Sequence, residues 1–479
     1  MSEARLEPRA LPDVLVRIIG DTRRGLALRV QERPLDDLRA RATRSERSLV
    51  DAIRERPVGL ILECKAASPS QGRLRESYDP VAIARAYADV ASGISVLCER
   101  DHFGGSLDHL AAVRQAGIDL PLLCKDFIVD PYQIYEARIA GADAVLLMCS
   151  VLDQDELRRC YAVASALGMD ALVEVHDANE MARAADIGAQ LIGINNRDLR
   201  TLDVSLSTTE RLAALAPSSA TLISESGISG RADLRRLRPL VDGFLVGSSL
   251  MRRADLEHAA RELAYGRVKV CGLTRPEDAL QAWRHGASWG GVILAAESPR
   301  AVSVERAAEI CRSAPLHWAA VFVNHPPAEV ARIVEHLGLS AVQLHGEENT
   351  SYVRELAKQL GPRCEVWKAV RVRERLSESA DAIGATRLLF DAYHPEQRGG
   401  TGATFDWTNV SGRDDFSASI LAGGLGPANV ADAEALGPWA VDLNSGLESK
   451  PGVKSPQRVV EAFEQLRGGS NRRVRSKGS

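Results

Sequence analysis

Charged side chains stand at the ends of apolar segments in the first half of this 479-residue chain. In residues 59–72 an apolar stretch leads into Glu63, and Lys65 follows two positions later. Residues two apart on a β-strand point to the same side of it. A carboxylate and an ammonium on the inner side of a buried strand are costly unless they are paired or take part in a reaction. The turn that follows, residues 68–72, offers hydroxyls and a glycine to an anion.

Further polar residues end apolar segments at points where a purely structural strand would carry Val, Ile or Ala. They are Lys125 with Asp126, Glu174, Asn195 with Arg197, and Glu225 with Ser226. One such charge could belong to a salt bridge at the mouth of a barrel. Several charges around one rim favour general acid–base catalysis, with pKa values shifted by proximity and burial.

The second half repeats the two-residue spacing with Lys269 and Cys271, followed by the turn at residues 272–274. A cysteine serves as a general base only as its thiolate. We therefore expect a local positive potential, with Lys269 as a candidate source, to lower the pKa of Cys271. Cysteines that lie in or at the end of apolar segments are expected to be buried core thiols instead. These are Cys64, Cys98, Cys124 and Cys149.

Each half of the chain carries two segments rich in glycine and serine, about twenty residues apart. They are residues 223–228 and 245–249 in the first half, and 421–425 and 441–447 in the second. Glycine lets backbone N–H groups approach a phosphate, and a helix N-terminus adds to the attraction. We therefore expect a phosphate-ester ligand in each half.

The elements that position these residues follow a regular alternation of short apolar strands and helix-length segments. The first cycle predicts strands at residues 60–63, 94–98, 122–124, 144–148, 171–175, 191–194, 221–224 and 243–246. The second predicts strands at residues 268–271, 291–294, 319–323, 341–344, 366–370, 388–390, 420–422 and 440–443. Two runs of eight strand–helix units predict an α/β protein of two tandem (β/α)8 TIM barrels.

The domain limits follow from the joint between these two cycles. We expect residues 1–266 to form the first barrel, with a helical N-terminal extension over residues 1–57, and residues 267–467 to form the second. The last residues, 468–479, are rich in Gly, Ser and basic residues and are expected to be a disordered tail. In such barrels the chemistry lies at the carboxyl ends of the strands, with phosphate often held after the seventh and eighth.

The overall composition limits the partners of the chain. A net charge of −4, with 45% apolar and 26% charged residues, is typical of a globular protein without a general attraction to nucleic acid or membranes. We find neither an apolar run of the roughly 20 residues that a membrane span needs nor a signal-peptide pattern, and we expect a cytoplasmic protein. The eight cysteines form no Cys-x-x-Cys pair and the histidines no cluster with metal-binding spacing, so we expect no metal site.

The motifs at the strand ends of the first half resemble indole-3-glycerol-phosphate synthase. They are LECKAASPS at 62–70, LCKDFI at 123–128, DPYQI at 130–134, VEV at 173–175, GINNRDL at 193–199 and ISESGI at 223–228. The second half resembles phosphoribosylanthranilate isomerase, through VKVCGLT at 268–274, SPR at 298–300, QLHG at 343–346, FD at 390–391, GGTG at 399–402 and LAGGLG at 421–426. Together they resemble the fused bifunctional enzymes of tryptophan biosynthesis.

This resemblance implies two consecutive reactions. The C-terminal domain would isomerise N-(5-phosphoribosyl)anthranilate to 1-(2-carboxyphenylamino)-1-deoxyribulose phosphate by an Amadori rearrangement. The N-terminal domain would close that product to indole-3-glycerol phosphate with loss of CO2 and water. The partners would be small phosphorylated molecules, no cofactor would be needed, and we expect a monomer.

The resemblance also implies roles in the synthase half. Lys125 matches the acid of ring closure, Lys65 a second lysine near the substrate carboxylate and leaving hydroxyl, and Glu174 the acid–base residue of the dehydration. How the two lysines divide the steps stays open. Glu63 matches a charge-stabilising partner. Substrate-positioning roles fall to Asn195, Arg197, Glu225 and Ser226, and phosphate-binding roles to Ser68, Gly227, Gly247 and Ser248.

In the isomerase half, Asp391 matches the acid that opens the ribose ring and Cys271 the base that removes the C2′ proton. Arg300 could pair with the anthranilate carboxylate, and His345 fits a positioning or structural role better than that of a base. Residues 399–402 could form a mobile lid near the phosphate. The further substrate- and phosphate-binding candidates are Gly402, Gly423, Gly424, Ser445 and Gly446.

Two other interpretations remain at this point. The chain could be another phosphosugar-processing enzyme on tandem barrels, although a metal-dependent epimerase needs His and Asp ligands where this chain has Glu and Lys. It could also be a metabolite-binding barrel without activity. Such a protein would tolerate loss of the reactive residues, yet Lys125, Glu174, Cys271 and Asp391 are all present.

Overall fold

The computed structural model describes residues 13–68, 72–75, 77–372, 379–392 and 404–468. The chain divides into two compact units, the first ending at Ala260 and the second beginning at Arg261. In its described part, each unit contains one closed barrel of eight parallel strands. The two tandem (β/α)8 barrels predicted from the sequence are therefore confirmed.

The first barrel contains the predicted strands within one residue at each end. The strands are β1 (Gly59–Cys64), β2 (Gly93–Leu97), β3 (Leu122–Lys125), β4 (Ala144–Met148), β5 (Asp170–Val175), β6 (Leu191–Asn195), β7 (Thr221–Glu225) and β8 (Gly243–Val246). Each pairs in parallel with the next, and β8 closes the ring on β1 through pairs such as Leu60 with Phe244. The short hairpin Ala67–Ser68 with Gly72–Arg73 follows β1.

Helices surround this barrel and precede it. They are α1 (Asp13–Glu32), α2 (Leu35–Arg41), α3 (Leu49–Arg54), α4 (Pro80–Tyr87), α5 (Leu107–Gln115), α6 (Pro131–Ile139), α7 (Gln154–Ala166), α8 (Ala178–Asp186), α9 (Ser207–Ala213), α10 (Arg231–Leu237) and α11 (Ser248–Met251). A further helix, α12 (Leu256–Tyr265), spans the division between the two units. Proline begins α4 and α6, because its missing N–H costs nothing in the first turn. The preceding Asp79 and Asp130 cap these helices by accepting backbone N–H groups.

The N-terminal helices pack on the barrel in two places. Leu15 and Ile19 of α1 join a buried apolar cluster with Val129 and Tyr132 near the start of α6. Leu49 of α3 fills the space under the barrel that Gly93 leaves open, since a Cβ on Gly93 would overlap its side chain. Helix α3 therefore closes the amino end of the barrel and leaves the carboxyl end accessible.

The two-residue period of the strands explains why polar residues meet at the carboxyl end. On β5 and β7 the apolar residues Leu172 and Ile223 belong to the barrel core, and Glu174 and Glu225 follow them two positions later on the same side. Inward-facing positions are therefore apolar at the base of the barrel and charged at its mouth.

The second barrel contains its predicted strands within two residues at each end. The strands are β9 (Val268–Val270), β10 (Trp289–Ile293), β11 (His317–Phe322), β12 (Ala341–Leu344), β13 (Glu365–Val372), β14 (Arg387–Ala392), β15 (Ile420–Leu421) and β16 (Ala440–Leu443). Its helices are α13 (Pro276–His285), α14 (Val304–Ser313), α15 (Pro327–Leu337), α16 (Thr350–Leu360), α17 (Ala380–Ile383), α18 (Thr408–Ser411), α19 (Val430–Ala435) and α20 (Pro456–Arg467).

Aromatic residues fill the base of this second barrel. The rings of Trp289 and Trp367 lie 4.9 Å apart, and Trp439 contacts both at 5.7 and 5.8 Å. Such tilted ring contacts bury large apolar surfaces. Smaller side chains line the upper part of the barrel, where Cys271, Ile293 and Val321 form a separate apolar cluster.

Among the helices that the structure describes, we find none that combines the length and the apolar character needed to cross a membrane. The predicted tail, residues 468–479, lies outside the described residues except for Gly468, and the predicted lid, residues 399–402, lies outside them entirely.

Candidate active sites

A cavity of about 550 Å³ opens at the carboxyl end of the first barrel. Its lining includes the following residues predicted for the synthase half: Glu63, Lys65, Lys125, Glu174, Asn195, Arg197, Glu225, Ser226, Gly227, Gly247 and Ser248. The side chain of Ser68 lies outside the described residues, so its predicted phosphate contact stays a prediction. The residues singled out along almost 200 positions of sequence thus meet in one concave site.

Lys125 lies among carboxylates in this cavity. Its Nζ donates to Glu225 Oε2 at 2.5 Å and to Glu174 Oε2 at 3.4 Å. Burial alone would lower the pKa of Lys125, but the negative charges of Glu225, Glu174 and Glu63 outweigh burial and raise it. Lys125 is therefore a cation over the whole neutral pH range.

The two carboxylates beside Lys125 respond differently to their surroundings. Burial raises the pKa of Glu225 to about 7, although the Lys125 cation opposes this shift. The pKa of Glu174 is lowered, because Lys125, His176 and Asn195 together outweigh the effect of its burial. Two neighbouring carboxyl groups with separated pKa values can serve as a proton donor and a proton acceptor.

Lys65 and Glu63 form a second ion pair at the end of β1, with 2.6 Å between Nζ and Oε2. Glycines make room for the carboxylates of the site. A Cβ on Gly247 would overlap the Glu63 carboxylate, and a Cβ on Gly193 would overlap that of Glu225. Gly247, predicted as a phosphate ligand, thus has a separate steric reason to lack a side chain.

The loops after β6 and β7 hold the remaining predicted residues. Asn195 Oδ1 accepts the backbone N–H of Arg197 at 3.0 Å, and the Arg197 guanidinium donates to the carbonyl of Leu202. Ser226 and Gly227 have φ values of 64° and 79°, and the left-handed region is costly for a serine. Such backbone strain is typical of ligand-binding loops and agrees with the predicted role of this turn.

Sequence reasoning missed several residues of this site. His176, two positions after Glu174, places Nε2 3.5 Å from Glu174 Oε1 and Nδ1 3.1 Å from Glu180 Oε2. Asn196 holds the strained turn by donating to the carbonyl of Ser226 at 3.1 Å. The position of His176 after a strand was a usable signal. No sequence pattern indicates the apolar wall of the cavity, because its members come from separate helices and loops. They are Leu15, Ile18, Phe103 and Phe127.

A second cavity, of about 520 Å³, opens at the carboxyl end of the second barrel. The predicted residues in its lining are Cys271, Arg300, Asp391, Gly423, Gly424 and Ser445. Gly446 packs on the backbone of Leu425, where a Cβ would overlap the carbonyl oxygen. Gly402 lies outside the described residues. The roles predicted for Gly402 and Gly446 stay predictions.

The electrostatics around Cys271 correct one expectation. Burial raises the pKa of the Cys271 thiol, and the nearby Lys269 cation offsets only part of this effect. The expected net lowering of this pKa is therefore wrong, because burial outweighs the lysine and the carboxylate of Asp442 adds to the effect of burial. Lys269 Nζ lies 2.7 Å from Asp442 Oδ2. The sequence could not reveal this partner, which is 173 positions away.

Arg300 and Asp391 occupy different parts of the second cavity. The Arg300 guanidinium forms a bidentate pair with Glu448, at 2.9 Å from Nε to Oε1 and 2.8 Å from Nη2 to Oε2. Asp391, at the end of β14, lies 3.4 Å from His345 Nε2. Around the ring of eight strands, β14 is three positions from β9 one way and five the other. Asp391 and Cys271 therefore approach the cavity from different sides.

Comparison with known proteins matches each barrel to a family. Residues 15–263 match the family described as indole-3-glycerol phosphate synthase, and residues 268–465 match N-(5′-phosphoribosyl)anthranilate isomerase. The "Tryptophan biosynthesis protein TrpCF" of Vibrio cholerae serotype O1 is 46% identical over 95% of this chain and 96% of its own length. The chain belongs to this bifunctional family.

A second curated relative agrees with this assignment. The TrpCF protein of Yersinia pestis is 43% identical, over 95% of this chain and 94% of its own length. The crystal structure of phosphoribosyl anthranilate isomerase from Thermus thermophilus is 36% identical, covers 42% of this chain and 98% of that chain, and has a TM-score of 0.37. The chain is a bifunctional enzyme of tryptophan biosynthesis, with a decarboxylating lyase half and an isomerase half. The alternatives of another phosphosugar enzyme or an inactive metabolite-binding barrel are not favoured.

Proposed function

We propose that residues 267–467 of this enzyme carry the isomerase activity and residues 1–266 the synthase activity, each with a complete site of its own. The single observation that supports this most is the placement of the predicted acid–base residues. Lys125 and its carboxylates line one cavity, and Cys271 and Asp391 line the other. Each reaction can therefore proceed without a residue from the other barrel.

The isomerase reaction needs an acid and a base on different sides of a sugar. Asp391 donates its proton to the ring oxygen of the ribose, and the bond between that oxygen and C1′ breaks to leave an iminium ion. Cys271, as a thiolate, then removes the proton from C2′. The C–H electron pair moves toward the iminium nitrogen to give an enolamine, which tautomerises to the ketone. The buried Lys269 cation stabilises the thiolate form against the cost of burial.

The synthase reaction begins with attack of an aromatic ring carbon on the C2′ carbonyl. As the new carbon–carbon bond forms, the carbonyl oxygen becomes an alkoxide and takes a proton from the Lys125 ammonium. An alkoxide is basic enough to accept that proton although the pKa of Lys125 is raised. Loss of CO2 then returns the electron pair to the ring and restores its aromaticity.

Dehydration completes the indole ring and needs a base and an acid. Glu174 has a lowered pKa and is therefore present as a carboxylate that can take the proton. The hydroxyl leaves as water after it receives a proton from a lysine. We assign this step to Lys65, which the resemblance places near the leaving hydroxyl. Glu63 holds that lysine in place through their ion pair. Asn195, Arg197, Glu225 and Ser226 position the substrate.

Phosphate binding in both halves is assigned to the loops after the seventh and eighth strands. In the first barrel these are Ser226 with Gly227, and Gly247 with Ser248; both pairs line the cavity. In the second barrel Gly423 and Gly424 have φ values of 84° and 65°, and only glycine adopts such values without strain. Ser445 follows the eighth strand there and lines the cavity.

The proposed function is tested by adding N-(5-phosphoribosyl)anthranilate to the purified protein and measuring indole-3-glycerol phosphate. Folded protein that forms no product would contradict the proposal. We further propose that the enzyme acts in the cytoplasm as a monomer and binds no nucleic acid, since neither site needs a second chain. Light scattering of the active protein tests the proposed monomer, and the molecular mass of a dimer would contradict it.

A further inference from the structure

A buried cation fixes the orientation of a neighbouring amide in the isomerase barrel. Lys269 Nζ donates to Asp442 Oδ2 at 2.7 Å and to Gln343 Oε1 at 2.8 Å. Lys269 is 1% exposed and Gln343 is 2% exposed. An ammonium group has donors but no acceptor, so Gln343 must turn its oxygen, and not its NH2 group, toward Lys269. The NH2 group of Gln343 therefore points the other way.

The NH2 group of Gln343 meets the imidazole of His345, the next inward-facing residue. Gln343 Nε2 lies 3.2 Å from His345 Nδ1. An amide nitrogen can only donate a hydrogen bond, so Nδ1 must present its lone pair. The proton of a neutral imidazole then resides on Nε2. The orientation imposed by Lys269 is thus passed through Gln343 to the tautomer of His345.

The protonated nitrogen of His345 faces the catalytic carboxyl group. His345 Nε2 lies 3.4 Å from Asp391 Oδ2. This nitrogen is buried and forms no hydrogen bond with any residue that the structure describes. A buried N–H without a partner is costly, so a carboxylate at this distance is its natural acceptor. The other oxygen of Asp391 accepts the backbone N–H of Ala392 at 2.8 Å.

We propose that Gln343 is a positioning residue that holds His345 as the Nε2–H tautomer, so that His345 stabilises the carboxylate that Asp391 becomes when it has protonated the substrate. The inference rests on the proposed function, in which Asp391 is the acid. The opposite tautomer would aim a nitrogen lone pair at this new negative charge. In a buried site that repulsion would oppose the proton transfer.

The tautomer can be measured in the unmodified protein. Full-length enzyme labelled with ¹⁵N-histidine gives ring nitrogen signals for its ten histidines, and loss of one set in His345→Gln assigns His345. Nitrogen chemical shifts and nitrogen–proton couplings show which ring nitrogen carries the proton. We expect a proton on Nε2 and a lone pair on Nδ1. A proton on Nδ1, alone or together with Nε2, would overturn the inference.

Gln343→Glu tests the consequence for catalysis. The new carboxylate can still accept from Lys269 but cannot donate to His345, so the ring proton should move to Nδ1. We expect isomerase kcat to fall about 100-fold, the lower end of the range for proton-transfer groups, with KM little changed. Synthase activity in the same molecules should remain. Unchanged kcat together with an unchanged tautomer would contradict the inference.

A matched control carries the same chemical change away from both cavities. Gln359 is exposed on α16, and Gln359→Glu should leave both activities unchanged. Should the Gln343→Glu protein fail to fold, the spectrum of the unmodified enzyme decides alone. Asp391→Ala separates this inference from the proposed function. Full isomerase activity in that variant would refute Asp391 as the acid, whereas an inactive variant with His345 protonated on Nδ1 would refute only the role of Gln343.

Discussion

Lys125 Nζ lies 2.5 Å from Glu225 Oε2, although the two residues are 100 positions apart in the chain. They stand at the ends of β3 and β7, which are four strands apart in an eight-stranded ring and therefore face each other. The lysine thus reaches across the mouth of the barrel. A cation in this position can meet the substrate oxygen from the centre of the cavity.

Replacement of Lys125 by alanine should abolish ring closure and leave the isomerase active. Loss of a proton donor costs about 10²- to 10⁴-fold in rate. The measurement is a pair of assays on one preparation, one for indole-3-glycerol phosphate from the isomerised substrate and one for the isomerisation itself. If isomerase activity also disappears from soluble Lys125→Ala protein, the two sites are not independent.

The reciprocal variant is Asp391→Ala. We expect the isomerase rate to fall by a similar factor, because ring opening then lacks its acid, while supplied isomerised substrate is still converted to indole-3-glycerol phosphate. Steady-state rates of both reactions, measured at equal protein concentration, test this. Normal isomerase turnover in this variant would assign the acid to another group.

The fold and most of each site could be predicted because strand alternation and strand-end chemistry are local properties. Glu174 and Glu225 were identifiable as charges that end apolar runs, and barrel closure then placed them in one cavity. Long-range partners could not be predicted in this way. The ion pair between Arg300 and Glu448 joins residues 148 positions apart, and no sequence pattern near either residue indicates it.

The sign of the pKa shift at Cys271 was not predictable either. The sequence shows Lys269 two residues away, which favours a lowered pKa. Complete burial and the carboxylate of Asp442 are tertiary features that act in the opposite sense. Gln343 belongs to the QLHG motif but received no predicted role for a related reason, since the sequence does not show which charged group its amide contacts.

Synthase activity should depend on the titration of Glu225. Its pKa of about 7 lies above the ordinary carboxyl value, so Glu225 is neutral below pH 7 and becomes a carboxylate as the pH rises. Because the carboxylate holds Lys125 in place, synthase kcat/KM should rise with pH and level off above about 7. This apparent value belongs to the group of Lys125, Glu174 and Glu225, which titrate together.

Glu225→Gln provides the comparison for that profile. The amide does not titrate, so the rise of synthase kcat/KM near neutral pH should be absent from the variant. The overall synthase activity of the variant should also be lower. The substrate phosphate also titrates, with a second pKa of about 6, but its contribution to the pH profile would be the same in both proteins. A rise near pH 7 that persists in Glu225→Gln would assign the titration to another group.

The titration of Cys271 can be followed in an isomerase variant whose acid does not titrate. The pKa of Cys271 is raised above the ordinary thiol value, so only a small fraction of this side chain is thiolate at neutral pH. That fraction increases as the pH rises toward the pKa. Asp391 must keep its proton to act as the acid, so the gain in thiolate shows clearly only where that acid cannot titrate. In Asp391→Asn we expect the residual isomerase kcat/KM to climb between about pH 6 and 9 without a plateau. A profile of this variant that is flat over this range would contradict Cys271 as a base that is protonated in the free enzyme. Adding Cys271→Ser, whose hydroxyl does not ionise there, should lower the residual activity further and remove the rise.

Gly193 controls the position of Glu225 by leaving space for it. The Glu225 carboxylate occupies the place where a Cβ on Gly193 would lie, with Leu172 Cδ1 only 3.2 Å from the same point. Gly193→Ala should therefore push Glu225 away from Lys125 and lower synthase kcat by about 10²-fold, the cost of a small misplacement of a catalytic group. Isomerase activity should not change.

Gly412→Ala is the matched control for this variant. Gly412 has a φ of −86° and open space at its Cβ position, so an added methyl group meets nothing and requires no strained backbone. Both activities should be unchanged in this control. Synthase kcat that remains normal in Gly193→Ala would show that Glu225 can move without loss, and the contact between Lys125 and Glu225 would then not be needed for ring closure.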